Sequence, residues 1–310
     1  QDGYPIIRLK LFSERDKATE EKLQRYRTDI AALNKKLSAT TKELNSCDNE
    51  RRSGQLKRSI ALEEKVLCAL KKKYKKIFRI TLLAFLATFL TIAFILLFPQ
   101  KLFANKLKYK EFTVCSNDKI DDDIKIVLDN VMDIVRKSEL HDSSYKYNII
   151  LCHNTFYNKI DNKVFGTGPA ARARLHNVII KARIDPKNNL AFATFRKACE
   201  VNLTYLIAHE MIHCLQGHKY GLLKFNPFRH PEFWKLEGYP EYISKQNVFS
   251  SKDYSLTSDI DRYVTLKNKT TDIWISSENG GCEVPDYYYK GKLMMEYLID
   301  IKHLSYDQIL

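Results

Sequence analysis

The residues best suited to chemistry in this chain are two histidines and a glutamate at helical spacing. Residues 209–213 read His-Glu-Met-Ile-His, and the apolar residues around them recur every three or four positions, which indicates a helix. On a helix, His209 and His213 project from one face a turn apart, so both imidazoles can bind the same ion. Glu210 then points to the side where a metal-bound water would lie. The pattern predicts a zinc centre with Glu210 as the general base of a hydrolysis.

A third zinc ligand is expected from the segment 234–242, which reads Trp-Lys-Leu-Glu-Gly-Tyr-Pro-Glu-Tyr. Tetrahedral zinc bound by two histidines needs one more protein ligand if a position is to stay open for water, and a carboxylate on a following helix can supply it. Glu237 is the preferred candidate. Glu241 lies four residues later on the same helical face, and it either accepts a hydrogen bond from a ligand histidine's free N–H or is itself the ligand.

These two motifs together resemble those of the gluzincin metallopeptidases, in which HExxH is followed by a helix bearing W-x-x-E-G-x-A-x-Y. The resemblance covers about residues 112–310 and implies that Glu237 is the third zinc ligand. Pro240 stands where the family has a small residue. Since proline inside a helix removes a hydrogen bond, we expect this helix to begin near Leu236, with Pro240 in its first turn.

A tyrosine cluster extends the resemblance, because residues 288–291 read Tyr-Tyr-Lys-Gly and are similar to the Y-E-K-G of the aminopeptidase branch. The resemblance implies that the Tyr288 phenol stabilises the oxyanion, with Tyr287 and Tyr289 as alternatives. The structural alternative is that the aromatic rings pack the start of a helix over 292–301. The substrate-amine motif G-x-M-E-N of that branch is absent, since residues 166–171 read Gly-Thr-Gly-Pro-Ala-Ala, so aminopeptidase activity is not implied.

The elements that must position these residues belong to an α+β domain. The chain has 310 residues, 45% of them hydrophobic, which is enough to bury a core and excludes wholesale disorder. Alternating apolar residues predict strands over 112–115, 147–152 and 178–180, and an amphipathic pattern predicts a helix over 120–135. Helices are expected in the remainder, with Gly217 ending the HExxH helix. We therefore expect a zincin-like fold with a small sheet lobe and a helical lobe carrying HExxH.

An uncharged run from Ile80 to Phe98 predicts one transmembrane helix of roughly 28 Å, close to the thickness of a bilayer's hydrocarbon core. It divides the chain into a cytoplasmic helical arm (1–76), the membrane helix (77–99) and a metallopeptidase-like domain (100–310). Lysines crowd the N-terminal flank more densely than the C-terminal flank, which favours a cytoplasmic N-terminus and an extracytoplasmic catalytic domain.

The formal net charge of +14 is concentrated in the arm. The basic run from Lys71 to Lys76 suits contact with anionic lipid headgroups. No aromatic-interleaved basic stripe accompanies the charge, so we expect no nucleic-acid partner.

The arm carries a heptad seam, and a similar spacing resumes from Leu56 to Tyr74. The seam consists of Leu23, Tyr26, Ile30, Leu33, Leu37, Thr40, Leu44 and Cys47. Ser53-Gly54 interrupts the pattern, so the arm is expected to be either a helical hairpin that turns there or one kinked coil. The seam predicts self-association or partner docking through residues 23–47, with a solvated stalk as the alternative.

Seven cysteines show no C-x-x-C spacing, and five of them follow the membrane segment. One or two disulfides and buried free thiols are both compatible with that number. The chain has no initiating Met and stops soon after Ser305, which begins like a capped helix, and the sequence leaves open whether both ends are truncated.

Taken together, the sequence predicts a membrane-anchored, zinc-dependent metallopeptidase that hydrolyses peptide bonds of a peptide or protein substrate. Its cofactor is Zn²⁺, held by His209, His213 and Glu237. The alternative is a coiled-coil membrane scaffold whose zinc module is structural and catalytically inactive.

Overall fold

The computed structural model describes residues 14–167, 169–194, 198–221, 224–225, 230–246, 254–276 and 282–310. It is a mixed α+β protein, and the chain divides into two compact units between Phe94 and Ile95. Gly168, in the stretch that replaces G-x-M-E-N, lies outside the described residues.

The first unit contains a hairpin of two long helices, α1 (Glu14–Asn45) and the N-terminal part of α2 (Glu50–Leu97). The predicted seam is confirmed within α1, because its seam residues from Leu23 to Leu44 are partly buried while the residues between them are exposed. Cys47, expected on the same helix, lies beyond the end of α1. Arg27 Nε donates to Tyr74 Oη at 2.9 Å across the pair, and Lys36 Nζ lies 3.0 Å from Glu63 Oε1. The seam is thus packed within the chain.

The hairpin turns at residues 46–49, so the expectation of a turn or kink at Ser53-Gly54 is wrong. The Asn49 side-chain oxygen accepts a hydrogen bond from the Arg52 backbone N–H at 3.1 Å and caps the start of α2. Gly54 lies inside α2, with open space around the position of a Cβ. A glycine in an exposed helix costs only about 1 kcal/mol, less than the packing of two long helices supplies.

Helix α2 continues without a break through the apolar run and is long and apolar enough to cross a membrane. Large apolar side chains on this part are exposed, among them Leu83 (65%) and Phe89 (56%). Within the second unit, the last carbonyls of the helix are satisfied by side chains. Arg174 Nη1 donates to Leu96 O and Asn177 Nδ2 to Leu97 O, both at 3.2 Å. Residues 95–97, which end α2, are therefore hydrogen-bonded within the second unit.

The second unit is built on a five-stranded sheet whose strands are β1 (Asn105–Tyr109), β2 (Phe112–Ser116), β3 (Tyr147–Leu151), β4 (Ala171–Arg174) and β5 (Asn177–Ile180). The spatial order is β1-β2-β3-β5-β4, with β2, β3 and β5 parallel and the edge strands β1 and β4 antiparallel to their neighbours. The three central strands are the three that the sequence predicts. Helix α3 (Ile124–Val135), which begins four residues later than expected, follows β2, and α4 (Phe156–Phe165) follows β3.

Beyond this sheet the structure contains more strands than expected. A three-stranded antiparallel sheet comprises β6 (Arg183–Asp185), β7 (Leu190–Thr194) and β8 (Ala198–Asn202). The following elements are α5 (Leu203–Tyr220), α6 (Phe233–Ser244), α7 (Leu256–Asn268), β9 (Trp274–Ser276), β10 (Glu283–Pro285), α8 (Asp286–Glu296) and α9 (Tyr306–Ile309). Strands β9 and β10 pair antiparallel, and a π-helical turn at Tyr297–Ile301 extends α8. The predicted helix over 292–301 therefore begins earlier, at Asp286.

Two helix boundaries correct the sequence expectations. Helix α5 does not stop at Gly217 but runs to Tyr220, and Gly221 ends it with φ +77°, a conformation that glycine adopts without strain. Helix α6 begins at Phe233 rather than near Leu236, so Pro240 lies in its interior.

A single apolar core holds the metal-motif helix in place. Val131 of α3, Ile149 of β3, Val178 of β5, and Ile207 and Met211 of α5 are all fully buried members of it. Because α5 contributes to this core before, within and after the HExxH motif, at Ile207, Met211 and Leu215, its histidines stand on a rigid element.

One disulfide links β8, which leads into α5, to the residue just before β10, which leads into α8. Cys199 of β8 is bonded to Cys282, which immediately precedes β10, and the Cα atoms lie 5.3 Å apart. Cys115, Cys152 and Cys214 are buried free thiols. Both arrangements left open by the sequence therefore occur.

Candidate metal centre

The two histidines of the HExxH motif meet at their Nε2 atoms. Asn202 caps α5 by accepting a hydrogen bond from Tyr205 N at 3.0 Å, and the helix then carries His209 and His213 one turn apart. Their Nε2 atoms lie 3.1 Å from each other, and both rings are largely buried. Two imidazole nitrogens at this distance need a cation or a shared proton between them.

Glu237 of α6 completes a triangle with these two nitrogens. Its Oε2 atom lies 3.1 Å from His213 Nε2 and 3.3 Å from His209 Nε2. In a tetrahedral site with bonds of 2.0–2.1 Å, neighbouring ligand atoms are about 3.3 Å apart. The three residues therefore form a group that could hold a metal ion, and their two nitrogens and one oxygen are a donor set that suits zinc.

Glu241 lies on the other side of the His209 ring. Its Oε1 atom is 3.2 Å from His209 Nδ1, while its Oε2 atom is 2.5 Å from Lys245 Nζ, one turn further along α6. Of the two alternatives left open by the sequence, this geometry favours the one in which Glu237 is the ligand and the Glu241 carboxylate lies against the opposite ring nitrogen of His209.

The charged groups of this centre shift one another's pKa values. Burial alone would lower the pKa of His209, but the Glu237 and Glu241 carboxylates beside its ring outweigh it and raise that pKa to about 10. Burial would raise the pKa of Glu237, yet the His213 and His209 charges hold it well below its usual range. The carboxylates thus favour a positive charge at the position between the histidine nitrogens.

Glu210 is a buried carboxyl next to this centre, with 7% of its surface exposed. Burial raises its pKa, and the nearby charges of His209, His213 and Arg172 partly oppose that shift. A carboxyl group whose pKa is raised towards neutrality is a better proton acceptor and donor than an exposed one.

The tyrosine cluster is placed by a close approach of α6 and α8. A Cβ at Gly238 would lie 2.5 Å from Gly291 O, so the two helices touch backbone to backbone at this pair. One turn before Gly291, the Tyr288 ring lies with its centroid 5.9 Å from that of His209. Burial, followed by the negative charge of Glu237, raises the pKa of the Tyr288 phenol well above its usual value.

The other two tyrosines point elsewhere. Tyr289 is buried and its hydroxyl donates to Asp259, while the Tyr287 ring stacks on Tyr288 at 4.9 Å and lies 5.6 Å from Phe233. Among the three candidates, Tyr288 is the one beside His209. The aromatic packing expected as the alternative role is therefore filled by Tyr287 and Tyr289.

The sequence did not point to Gln216, which lies one turn after His213 on α5. Its Oε1 atom is 2.8 Å from His213 Nδ1, and the side chain is buried. The only signal available in the sequence is that Gln216 lies three residues after His213 and thus on the same helical face. His218, by contrast, faces away from the centre, and its Nε2 atom lies 3.2 Å from Asp142 Oδ2.

We compared the chain with protein families, with curated proteins and with solved structures, and none of the three comparisons gave a match.

Proposed function

We propose that this chain is a membrane-anchored zinc metallopeptidase of the gluzincin type, with a zincin-like lobe formed around α5 and α6. The observation that carries the proposal is the triangle of His209 Nε2, His213 Nε2 and Glu237 Oε2, with sides of 3.1 to 3.3 Å. Three largely buried donors from two helices fit one divalent cation and leave a fourth position for a reactant.

The chemistry divides among the metal and two side chains. Bound zinc would act as a Lewis acid and make a coordinated water more acidic. Glu210 takes a proton from the attacking water and passes it to the leaving amine, a role for which its raised pKa is suited. Tyr288 keeps its proton because its pKa is raised, and its phenol donates to the negative charge that develops on the carbonyl oxygen.

The membrane anchor is the apolar part of α2. Its exposed leucine and phenylalanine side chains suit a lipid environment. We infer a cytoplasmic arm and an extracytoplasmic catalytic domain from the lysines of the N-terminal flank, whose run from Lys71 to Lys76 would contact anionic headgroups. The Cys199–Cys282 disulfide supports this orientation, because such bonds persist in oxidising compartments. Substrates would be peptides or proteins close to the membrane.

A coiled-coil scaffold with an inactive zinc module is the second candidate function. It is favoured by the hairpin arm, in which one partner helix leaves the α1 seam residues only partly buried. Self-association or docking of another helix through residues 23–47 would cover the rest of the seam.

The experiment that separates the two candidates uses the full chain purified in detergent. Bound zinc and cleavage of a peptide library are measured for the wild type and for Glu210→Gln and His213→Ala. Glu200→Gln, an exposed position on β8, is the matched control. The metallopeptidase predicts that Glu210→Gln keeps zinc and loses cleavage, that His213→Ala loses both, and that Glu200→Gln keeps both. Zinc binding by the wild type without turnover of any peptide would favour the scaffold.

A further inference from the structure

Gln216 joins three groups that belong to different parts of the candidate site. Only 1% of its surface is exposed. Its Oε1 atom lies 2.8 Å from His213 Nδ1, and its Nε2 atom lies 3.0 Å from the Leu236 carbonyl oxygen and 2.8 Å from Tyr306 Oη. One amide side chain thus connects α5, α6 and α9.

These contacts determine which way the amide points. The Leu236 carbonyl can only accept, so the atom facing it must be the nitrogen. The Tyr306 hydroxyl donates its own proton to Lys235 O at 3.0 Å, and it therefore accepts the second hydrogen of the same nitrogen. Both hydrogens of the amide are used. The oxygen of Gln216 consequently faces His213, and the hydrogen bond between them requires a proton on Nδ1.

The tautomer of His213 follows from this arrangement. With the proton on Nδ1, a neutral imidazole carries its lone pair on Nε2, the atom that lies 3.1 Å from both His209 Nε2 and Glu237 Oε2. This is the nitrogen that a metal would need. A partner on the opposite ring nitrogen also fixes the orientation of the ring.

Pro240 accounts for the second contact of Gln216. In α6 the Leu236 carbonyl would normally accept from the N–H of residue 240, but proline has none. The Gln216 amide supplies the missing donor from α5. The proline therefore leaves a carbonyl, one residue before Glu237, that is available to the helix carrying the histidines.

We propose that Gln216 is a positioning residue that holds His213 in its metal-binding tautomer and fastens α5 to α6 through the carbonyl that Pro240 leaves free. The inference rests on the proposed zinc centre. Gln216 lies outside both motifs, and its contact with the Leu236 carbonyl gives a structural reason for the proline inside α6.

The test measures the zinc dissociation constant of the full chain in detergent, by competition with a chelator, and the visible spectrum of its Co²⁺ form. Gln216→Leu removes all three contacts and should weaken zinc binding about 10- to 100-fold, with an altered Co²⁺ spectrum. Tyr306→Phe is the control. It removes the hydroxyl that accepts a hydrogen bond from Gln216 but leaves the contact between Gln216 and His213 in place. The melting temperature should therefore fall, while the zinc dissociation constant stays within about threefold of the wild-type value.

Pro240→Ala separates the effect of Gln216 on His213 from its effect on the packing of α5 against α6. Alanine supplies an N–H to the Leu236 carbonyl, so in this background Gln216→Leu should lower the melting temperature less than it does in the wild type. The loss of zinc affinity should persist, because the His213 contact is missing in either background. If Gln216→Leu alone does not fold, zinc affinity is measured on the double variant of Gln216→Leu and Pro240→Ala.

Zinc affinity within threefold of the wild type in Gln216→Leu, or an equal loss in Tyr306→Phe, would overturn the inference while leaving the proposed function intact. A wild-type chain that binds no zinc would overturn both.

Discussion

The contact between Gly238 and Gly291 gives a sharp prediction, because it fixes the spacing of the two helices that carry Glu237 and Tyr288. A Cβ at Gly238 would lie 2.5 Å from the Gly291 oxygen and 2.6 Å from its carbonyl carbon, whereas ordinary contacts begin at 3.4 Å. Gly238→Ala therefore forces α6 and α8 apart by about 0.9 Å, since the atoms it meets are backbone.

Overpacking of this kind typically lowers the free energy of unfolding by about 1–3 kcal/mol. A displacement of about 1 Å next to reacting groups typically reduces the rate about 100-fold. We expect Gly238→Ala to show both effects, together with weaker zinc binding because Glu237 is the neighbouring residue. The assays are denaturant unfolding, zinc competition with a chelator and peptide cleavage, all on the full chain in detergent.

Gly217→Ala is the matched control, because it is a glycine-to-alanine change inside the HExxH helix with nothing within 4 Å of the added Cβ. It should stabilise the protein by up to about 1 kcal/mol and leave zinc affinity unchanged. If Gly238→Ala were as stable as Gly217→Ala and bound zinc equally well, the helix contact would not position the site and this reasoning would be wrong.

Three further predictions concern other parts of the molecule. Replacing Cys199 and Cys282 by serine should lower the free energy of unfolding by about 2–5 kcal/mol, and reductant should then have no further effect on the melting temperature. Glu63→Leu fills a buried seam position now paired with Lys36 and should raise the melting temperature of the helical circular dichroism signal, whereas a decrease would show that the ion pair stabilises the hairpin. In the metal-free chain, the raised pKa of His209 contributes stability that is complete below its unfolded value of 6.5 and is lost as pH rises through about 10, so the melting temperature should fall between pH 7 and 10. A melting temperature that rises over this range would contradict that assignment.

The parts of the fold that the sequence predicted are those with strong local periodicity. The three central strands are buried on both faces, so their apolar runs stand out, and the α1 seam repeats over several turns. The two histidines were predictable because four residues on a helix bring two side chains to one face. Glu237 required a second motif, since its approach to them depends on how α6 packs against α5.

The features that the sequence did not predict have weak or conflicting local patterns, or depend on contacts between residues far apart in the sequence. Strands β7 and β8 contain alanine and other small residues among their apolar positions, so their alternation is weak. Gly217 and Gly54 suggested breaks, yet glycine is tolerated in a helix, and Gly221 and Asn49 provide the actual boundaries. The disulfide joins residues 83 positions apart, and no local pattern specifies such a pairing.

The position of α6 illustrates why local rules failed at the site. Pro240 argued for a helix start near Leu236, but a side chain from another helix satisfies the freed carbonyl and lets the helix begin at Phe233. Gln216 carries no sequence signal for this role. Tertiary hydrogen bonding thus overrides the local penalty of proline.

The central claim is that His209, His213 and Glu237 hold one zinc ion, and the direct test is metal analysis combined with zinc X-ray absorption on the dialysed full chain. We predict one zinc per chain with two imidazole nitrogens and a carboxylate oxygen among its ligands, and loss of the metal in Glu237→Ala but not in Glu200→Gln. A wild-type chain that retains no zinc, or a Glu237→Ala variant that retains it with unchanged coordination, would contradict the account.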